Sequence, residues 1–148
     1  MYQKILVAVD GSSASRAGLA EAIRFAKITG GRLKLVHVLN VLIGAEYGLA
    51  VDSNAIAASL RANGAEIVES AAALVRSANV PFEQQIVESF GRPADEIVKA
   101  ADAWPADLIV IGTHGRRGLK RLAMGSDAEL VLRLSSVPVL MVREKGEA

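Results

Sequence analysis

The sequence predicts an α/β fold, a doubly wound five-stranded parallel sheet with helices on both faces (Rossmann-like or flavodoxin-like). Three observations lead there. Short apolar, β-branched runs alternate with longer stretches of helical periodicity. The core material is aliphatic, with 51% hydrophobic residues and only 4% aromatic, which suits a sheet buried on both faces. A glycine-spaced loop separates the fourth apolar run from the last helical stretch, as in the βα turns of such sheets. A chain of 148 residues fits one domain, expected over 1–148. Such a domain buries roughly 70% of the surface its unfolded chain exposes.

The elements follow in order. Residues 5–9, Ile5-Leu6-Val7-Ala8-Val9, read as a strand, and Asp10-Gly11-Ser12-Ser13 as a turn and helix cap, with both serines expected as caps. Residues 14–29 place Leu19, Ala22, Ile23 and Ala26 at helical spacing before Gly30-Gly31 stops them. Residues 33–39 form a second strand. Residues 40–52 are a long connection carrying Val41, Leu42, Ile43, Tyr47 and Leu49; a lid, a partner patch and a loop packed on its own core stay equally open. Ser53 caps a helix running to about Ala78, weakened locally by Gly64. Residues 82–88 form the third strand. Pro93 opens a helix whose buried stripe is Ile97, Val98 and Ala101. Residues 108–111 form the fourth strand, 127–135 the last helix and 137–142 the fifth strand, and 143–148 are a short polar tail expected to fray.

Five strands in this pattern take the order 2-1-3-4-5 or the related 3-2-1-4-5. Ligands of open α/β sheets bind beyond the carboxyl ends of the strands, where the order reverses. In the 3-2-1-4-5 sheet that crevice lies between strands one and four. Asp10 ends the first of these and Gly112 the second.

The most informative segment is Gly112-Thr113-His114-Gly115, then nine residues, then Gly125-Ser126. Glycines let bare backbone approach a ligand, and the N–H groups of the following helix favour an anion. Arg116, Arg117, Lys120 and Arg121 stand inside the loop. This chemistry points to a nucleotide phosphate. Not all four cations can converge on one phosphate chain, so at least two are expected to be solvated. Asp10 suits ribose hydroxyls or a divalent cation, though it also suits a turn before the first helix. The end of strand two, at His37-Val38, forms the far wall and offers backbone groups to a base. His37 itself reads as a satisfied core histidine, and His114 as a loop residue.

Several classes are excluded. No cysteine is present, which rules out a disulfide framework, a thiolate nucleophile and a cysteine-based metal site. A net charge of +1 gives no polyanion signal, and the scarcity of aromatics removes stacking platforms, so no nucleic acid is expected as a partner. No apolar stretch is long enough to span a membrane, and a soluble, cytoplasmic protein is expected. A receiver domain would need an aspartate where Ser89 stands and a lysine where Arg143 stands. A flavodoxin would need a hydroxyl-rich loop after strand one and aromatics around the flavin. A Walker-type loop would need a closing Lys-Ser or Lys-Thr.

In these residues the chain resembles the universal stress protein family. The family's signature, a glycine, two residues, a glycine, nine residues and a glycine followed by Ser or Thr, stands as Gly112, Gly115, Gly125 and Ser126. The opening Ile5 to Ser12 and the ending Pro138 to Arg143 also resemble the family. The resemblance implies an ATP-binding member. Gly112, Gly115, Gly125 and Ser126 would then cradle phosphates, with Arg116 among the cofactor-binding residues. Asp10 would hold ribose or the metal (Mg²⁺ or Mn²⁺), and Val38 would meet adenine through its backbone. Asp127 departs from the pattern, standing where ATP-binding members often carry Val.

The fifth strand is an apolar edge strand in the expected order, and such an edge invites pairing. Val139, Leu140, Met141 and Val142 are therefore expected to pair across a two-fold axis in a homodimer, which the resemblance also implies. The leading expectation is an ATP-binding regulatory protein acting in the stress response with a partner the sequence does not name. The alternatives are a slow ATPase and a nucleotide-free dimer acting through protein contacts. Strong turnover is not expected, because no arginine finger can be identified and no dedicated general base or water-positioning carboxylate stands near the loop except Asp10.

Overall fold

The computed structural model describes residues 1–40, 53–113 and 125–145. The expectations for the 41–52 connection, His114, Gly115, Arg116, Arg117, Lys120, Arg121 and residues 146–148 lie outside the described residues. The elements are β1 (Lys4–Ala8), α1 (Ser13–Thr29), β2 (Arg32–Asn40), α2 (Ser53–Ser77), β3 (Phe82–Ser89), α3 (Pro93–Ala103), β4 (Leu108–Gly112), α4 (Ser126–Leu134) and β5 (Val139–Val142). The strands hydrogen-bond in the order β3-β2-β1-β4-β5, all in parallel. The second of the two expected orders is therefore the one formed. The fifth strand starts two residues later than its apolar run, after Pro138, which has no N–H for a ladder.

Strand alternation divides the core between two faces. Ile5, Val7 and Val9 face Leu19, Ala22 and Ala26 of α1 and Val68, Ala72 and Val75 of α2. Leu6, Ile109 and Ile111 face Ala94, Ile97, Ala100 and Ala101 of α3 and Ala128 and Val131 of α4. Val98, expected in the stripe of α3, is only half-buried; Ala94 and Ala100 complete the stripe instead. Each fully buried Leu, Ile or Val contributes about 1.5–3 kcal/mol relative to exposure. The sheet's apolar centre therefore fixes the register of the polar turns at its carboxyl edge.

Local signals place the helices. Ser12 is the N-cap of α1, its hydroxyl accepting from the Ser15 N–H at 3.1 Å. Ser13, also read as a cap, is instead the first helical residue. Pro93 opens α3, where its missing N–H costs nothing. Gly64 has a packing reason. A Cβ there would meet Leu39 Cδ2 at 2.8 Å and His37 Cδ2 at 3.1 Å, so the glycine lets α2 lie close against β2. Arg61 of α2 donates to Glu88 of β3. That bond holds the Glu88 carboxyl below its ordinary range, but the pair is exposed and adds little stability. At the opposite, amino end of the sheet the Asp107 carboxylate accepts from the Gln3 and Lys4 N–H groups. Among the described residues, no helix is long and apolar enough to cross a membrane.

Candidate functional site

The site begins with the direction of backbone groups. In a parallel strand the N–H and C=O of one residue point to the same neighbour, and the next residue points to the other. On β2, Arg32 N donates to Gln3 O and Val36 O accepts from Val9 N, each at 2.9 Å, whereas Leu33 N donates to Pro81 O. Even-numbered residues of β2 therefore face β1, and odd-numbered ones face β3. Val38 lies two residues past the Val9–Val36 bond, so its N–H and C=O turn toward β1 where that strand has already ended. On β4, Ile109 N donates to Pro138 O and Thr113 N to Val142 O, so the odd residues face β5. Gly112 faces β1, two residues beyond its last pairing of Val7 with Val110. β1 thus stops short of both neighbours at the carboxyl edge and leaves a notch, with Val38 on one wall and Gly112 on the other.

Asp10 follows the end of β1 at the floor of this notch. Its Oδ1 accepts from the Ser12 N–H at 2.9 Å, and its own N–H donates to Ser15 Oγ at 3.1 Å. Ser15 is buried, and its hydroxyl also reaches Ala8 O. Gly11 between Asp10 and Ser12 has φ +83°, which a glycine adopts without the penalty an L side chain would meet. Asp10 therefore shapes the turn into α1, and one of its oxygens, Oδ2, makes none of these bonds. The expected turn role is present in full, and the carboxylate also stands beside the N-terminus of α1, where negative charge is favoured.

Gly112 is confined by α1. A Cβ there would lie 2.6 Å from the Ala14 carbonyl carbon and 2.8 Å from its oxygen. The glycine lets the first turn of α1, and with it the Asp10 turn, sit directly on the end of β4. Gly125 is the N-cap of α4, and its N–H donates to Thr113 O. The two ends of the glycine loop are thereby closed on each other. Gly125, as the N-cap, offers no side chain to cap α4, and the N–H groups of a first turn have no acceptor within the helix. Ser126 is the exposed first residue of that turn, and Asp127 and Glu129 share the turn. Among the described residues the site thus gathers Asp10, Val38, Gly112, Gly125 and Ser126 along one edge of the sheet.

Sequence reading missed three groups here. Ser15 locks the Asp10 N–H; its only sequence signal is its place three residues after a capping serine. Arg16 donates from Nη1 to Gly11 O at 2.9 Å, putting a cation beside the Asp10 turn. Thr113 is buried, and its hydroxyl has no hydrogen-bond partner among the described residues. A threonine ending a strand carries no signal of this in sequence. His37, by contrast, is a satisfied core residue. Its Nδ1 lies 2.7 Å from Val9 O; a carbonyl only accepts, so Nδ1 carries the proton and pins the end of β1.

A notch with this geometry can hold a flat, polar group against the Val38 backbone and an anion at the start of α4. Among the described residues, no three His, Cys, Asp or Glu side chains converge as a metal cage.

The family model of the universal stress protein family matches residues 1–143. The chain belongs to this family. Universal stress protein MJ0531 of Methanocaldococcus jannaschii is 33% identical over 146 residues, covering 97% of this chain and 84% of that protein. The structure of MJ0577 from the same organism superposes with a TM-score of 0.87 at 28% identity, covering 99% of both chains. The Archaeoglobus fulgidus universal stress protein solved in complex with dAMP has a TM-score of 0.68 at 27% identity, covering 95% of this chain and 98% of that one. A further universal stress protein, solved with cAMP, has a TM-score of 0.62 at 25% identity, covering 97% of this chain and 98% of that one. The doubly wound sheet is thus the fold of the universal stress protein family, and the glycine signature from Gly112 to Ser126 lies within the matched segment.

Proposed function

We propose that this family member binds an adenine nucleotide, ATP with Mg²⁺, in the notch and acts as a cytoplasmic, nucleotide-dependent homodimer that regulates a protein partner in the stress response. The observation that carries the reading is the meeting of three groups where β1 ends. They are the backbone edge of Val38, the Asp10 turn packed beside Gly112, and the start of α4, whose Gly125 N–H donates to Thr113 O. The Val38 N–H and C=O form a donor–acceptor pair suited to the edge of adenine. The spare oxygen of Asp10 suits ribose hydroxyls or Mg²⁺. Gly112, Gly125 and Ser126, with Gly115 and Arg116 from the glycine signature, suit the phosphates. The dAMP and cAMP complexes of the two relatives support an adenine nucleotide as the ligand class.

The dimer in this reading pairs β5 with its symmetry mate. β4 uses the carbonyls of Pro138 and Val142, so the N–H and C=O of Val139 and Met141 turn outward by strand alternation. All four residues of β5 are half-buried. An apolar edge of this kind is stabilised by a second copy.

Calorimetric titration of Mg-ATP into protein stripped of nucleotide tests the reading. A Gly115→Val, Gly125→Val double variant, shown to be folded by circular dichroism, is titrated beside the parent. Binding by the parent that disappears in the variant is the expected result. Equal binding by both proteins, or none by the parent, rejects the site.

A further inference from the structure

We propose that the Thr113 hydroxyl is a phosphate-sensing contact, a hydrogen bond reserved for the nucleotide-bound state of the notch. The inference rests on the nucleotide-binding reading and adds to it a side chain at a position the signature leaves open, between its first two glycines. Thr113 joins three parts of the molecule. Its N–H donates to Val142 O of β5, its C=O accepts from Gly125 N at the start of α4, and it directly follows Gly112. Every backbone group of this residue is therefore satisfied, but its side chain is not. Thr113 is 7% exposed, and Oγ1 has no partner among the described residues.

Alternation gives the side of the sheet on which that side chain lies. A Cβ on Gly112 points at Ala14 of α1, while Ile109 and Ile111 pack on the α3 and α4 face. The Thr113 side chain follows the odd-numbered residues and lies on the α4 face, beside the helix start to which its own carbonyl is bonded. A hydroxyl buried without a partner is costly, and such groups in native proteins have a reason. The first turn of α4, whose N-cap Gly125 has no side chain, supplies one. A phosphate oxygen held there by backbone N–H groups is the acceptor that a buried O–H lacks, and a donor–anion bond of this kind is among the stronger ones.

A group without a partner among the described residues is thus one that ligand binding relieves. Replacing the hydroxyl by a methyl of similar shape should stabilise the free protein and weaken binding. This opposite pair of signs is one that a purely structural role would not produce.

The test compares the parent with Thr113→Val and Thr113→Ser, measuring the free-protein Tm and the affinities for Mg-ATP and for adenosine. Thr113→Val is expected to raise Tm by roughly 2–4 °C and to weaken Mg-ATP by about tenfold or more. Adenosine, which has no phosphate, should bind all three proteins alike, and Thr113→Ser should keep the Mg-ATP affinity of the parent. Unchanged Mg-ATP affinity in Thr113→Val overturns the inference while leaving the nucleotide site intact. Equal losses in both variants also overturn it, because the methyl and not the hydroxyl would then matter. A parent that binds neither ligand overturns the nucleotide reading itself, and the inference with it.

Discussion

Gly112 and Ala14 touch backbone to backbone: a Cβ added to Gly112 would stand 2.6 Å from the Ala14 carbonyl carbon and 2.8 Å from its oxygen. This contact seats the first turn of α1 on the end of β4 and sets the Asp10 turn opposite the glycine loop. Backbone atoms cannot rotate away as a side chain can. Gly112→Ala should therefore push α1 off the sheet and cost about 1–3 kcal/mol. Urea unfolding should show a lower midpoint with an unchanged slope. A midpoint equal to that of the parent would show that α1 does not depend on this contact.

Asp10 should separate binding from stability. Its carboxylate accepts one local bond, from Ser12 N–H, so Asp10→Ala is expected to cost only about 1 kcal/mol of stability. Affinity for Mg-ATP should fall at least about tenfold, and the difference between titrations with and without Mg²⁺ should shrink. Titrations of both proteins with and without the cation check this. Slow phosphate release by the parent that vanishes in the variant would instead favour a weak ATPase.

Gly64→Ala sets two effects against each other. Alanine improves intrinsic helix propensity by about 1 kcal/mol. The new methyl would meet Leu39 Cδ2 at 2.8 Å and the His37 ring at 3.1 Å. That ring is held by its bond to Val9 O at 2.7 Å and has little freedom to move. The clash should win, leaving the variant less stable by roughly 1–2 kcal/mol. Thermal unfolding gives the sign directly, and a higher Tm would mean that the ring yields.

These residues also show what sequence could and could not reveal. Apolar runs located the buried strands β1, β2 and β4 because a buried parallel strand must be apolar on both faces, whereas β3 is a largely polar, exposed edge strand. The glycine spacing located Gly112 and Gly125 at opposite ends of one loop because backbone approach demands glycine. Gly64 read as a weak point of a helix, since its reason, the side chains of Leu39 and His37, comes from another element. Val38 could be named by resemblance, but the outward turn of its backbone follows only from register, from knowing which bonds Arg32, Leu33 and Val36 make. The hydroxyl of Thr113 was invisible because burial, not residue type, makes it unusual. Ser12 and Ser13 looked equivalent as caps, and only the bond to Ser15 N–H separates them.

Met141→Pro should break the dimer without breaking the sheet. The Met141 N–H faces away from β4, so proline removes an outward donor and leaves the inner ladder in place. Sedimentation should show a dimeric parent and a monomeric variant with matching circular dichroism. A variant that remains dimeric would place the interface elsewhere.

The most direct test of the notch is amide chemical-shift mapping of ¹⁵N-labelled protein during titration with Mg-ATP. The account predicts shifts concentrated at Val38, at Asp10 to Ser12, at Gly112 and Thr113, and at Gly125 to Ala128, with the exposed strand β3 unmoved. Shifts clustered on another face, or none at saturating nucleotide, would contradict it.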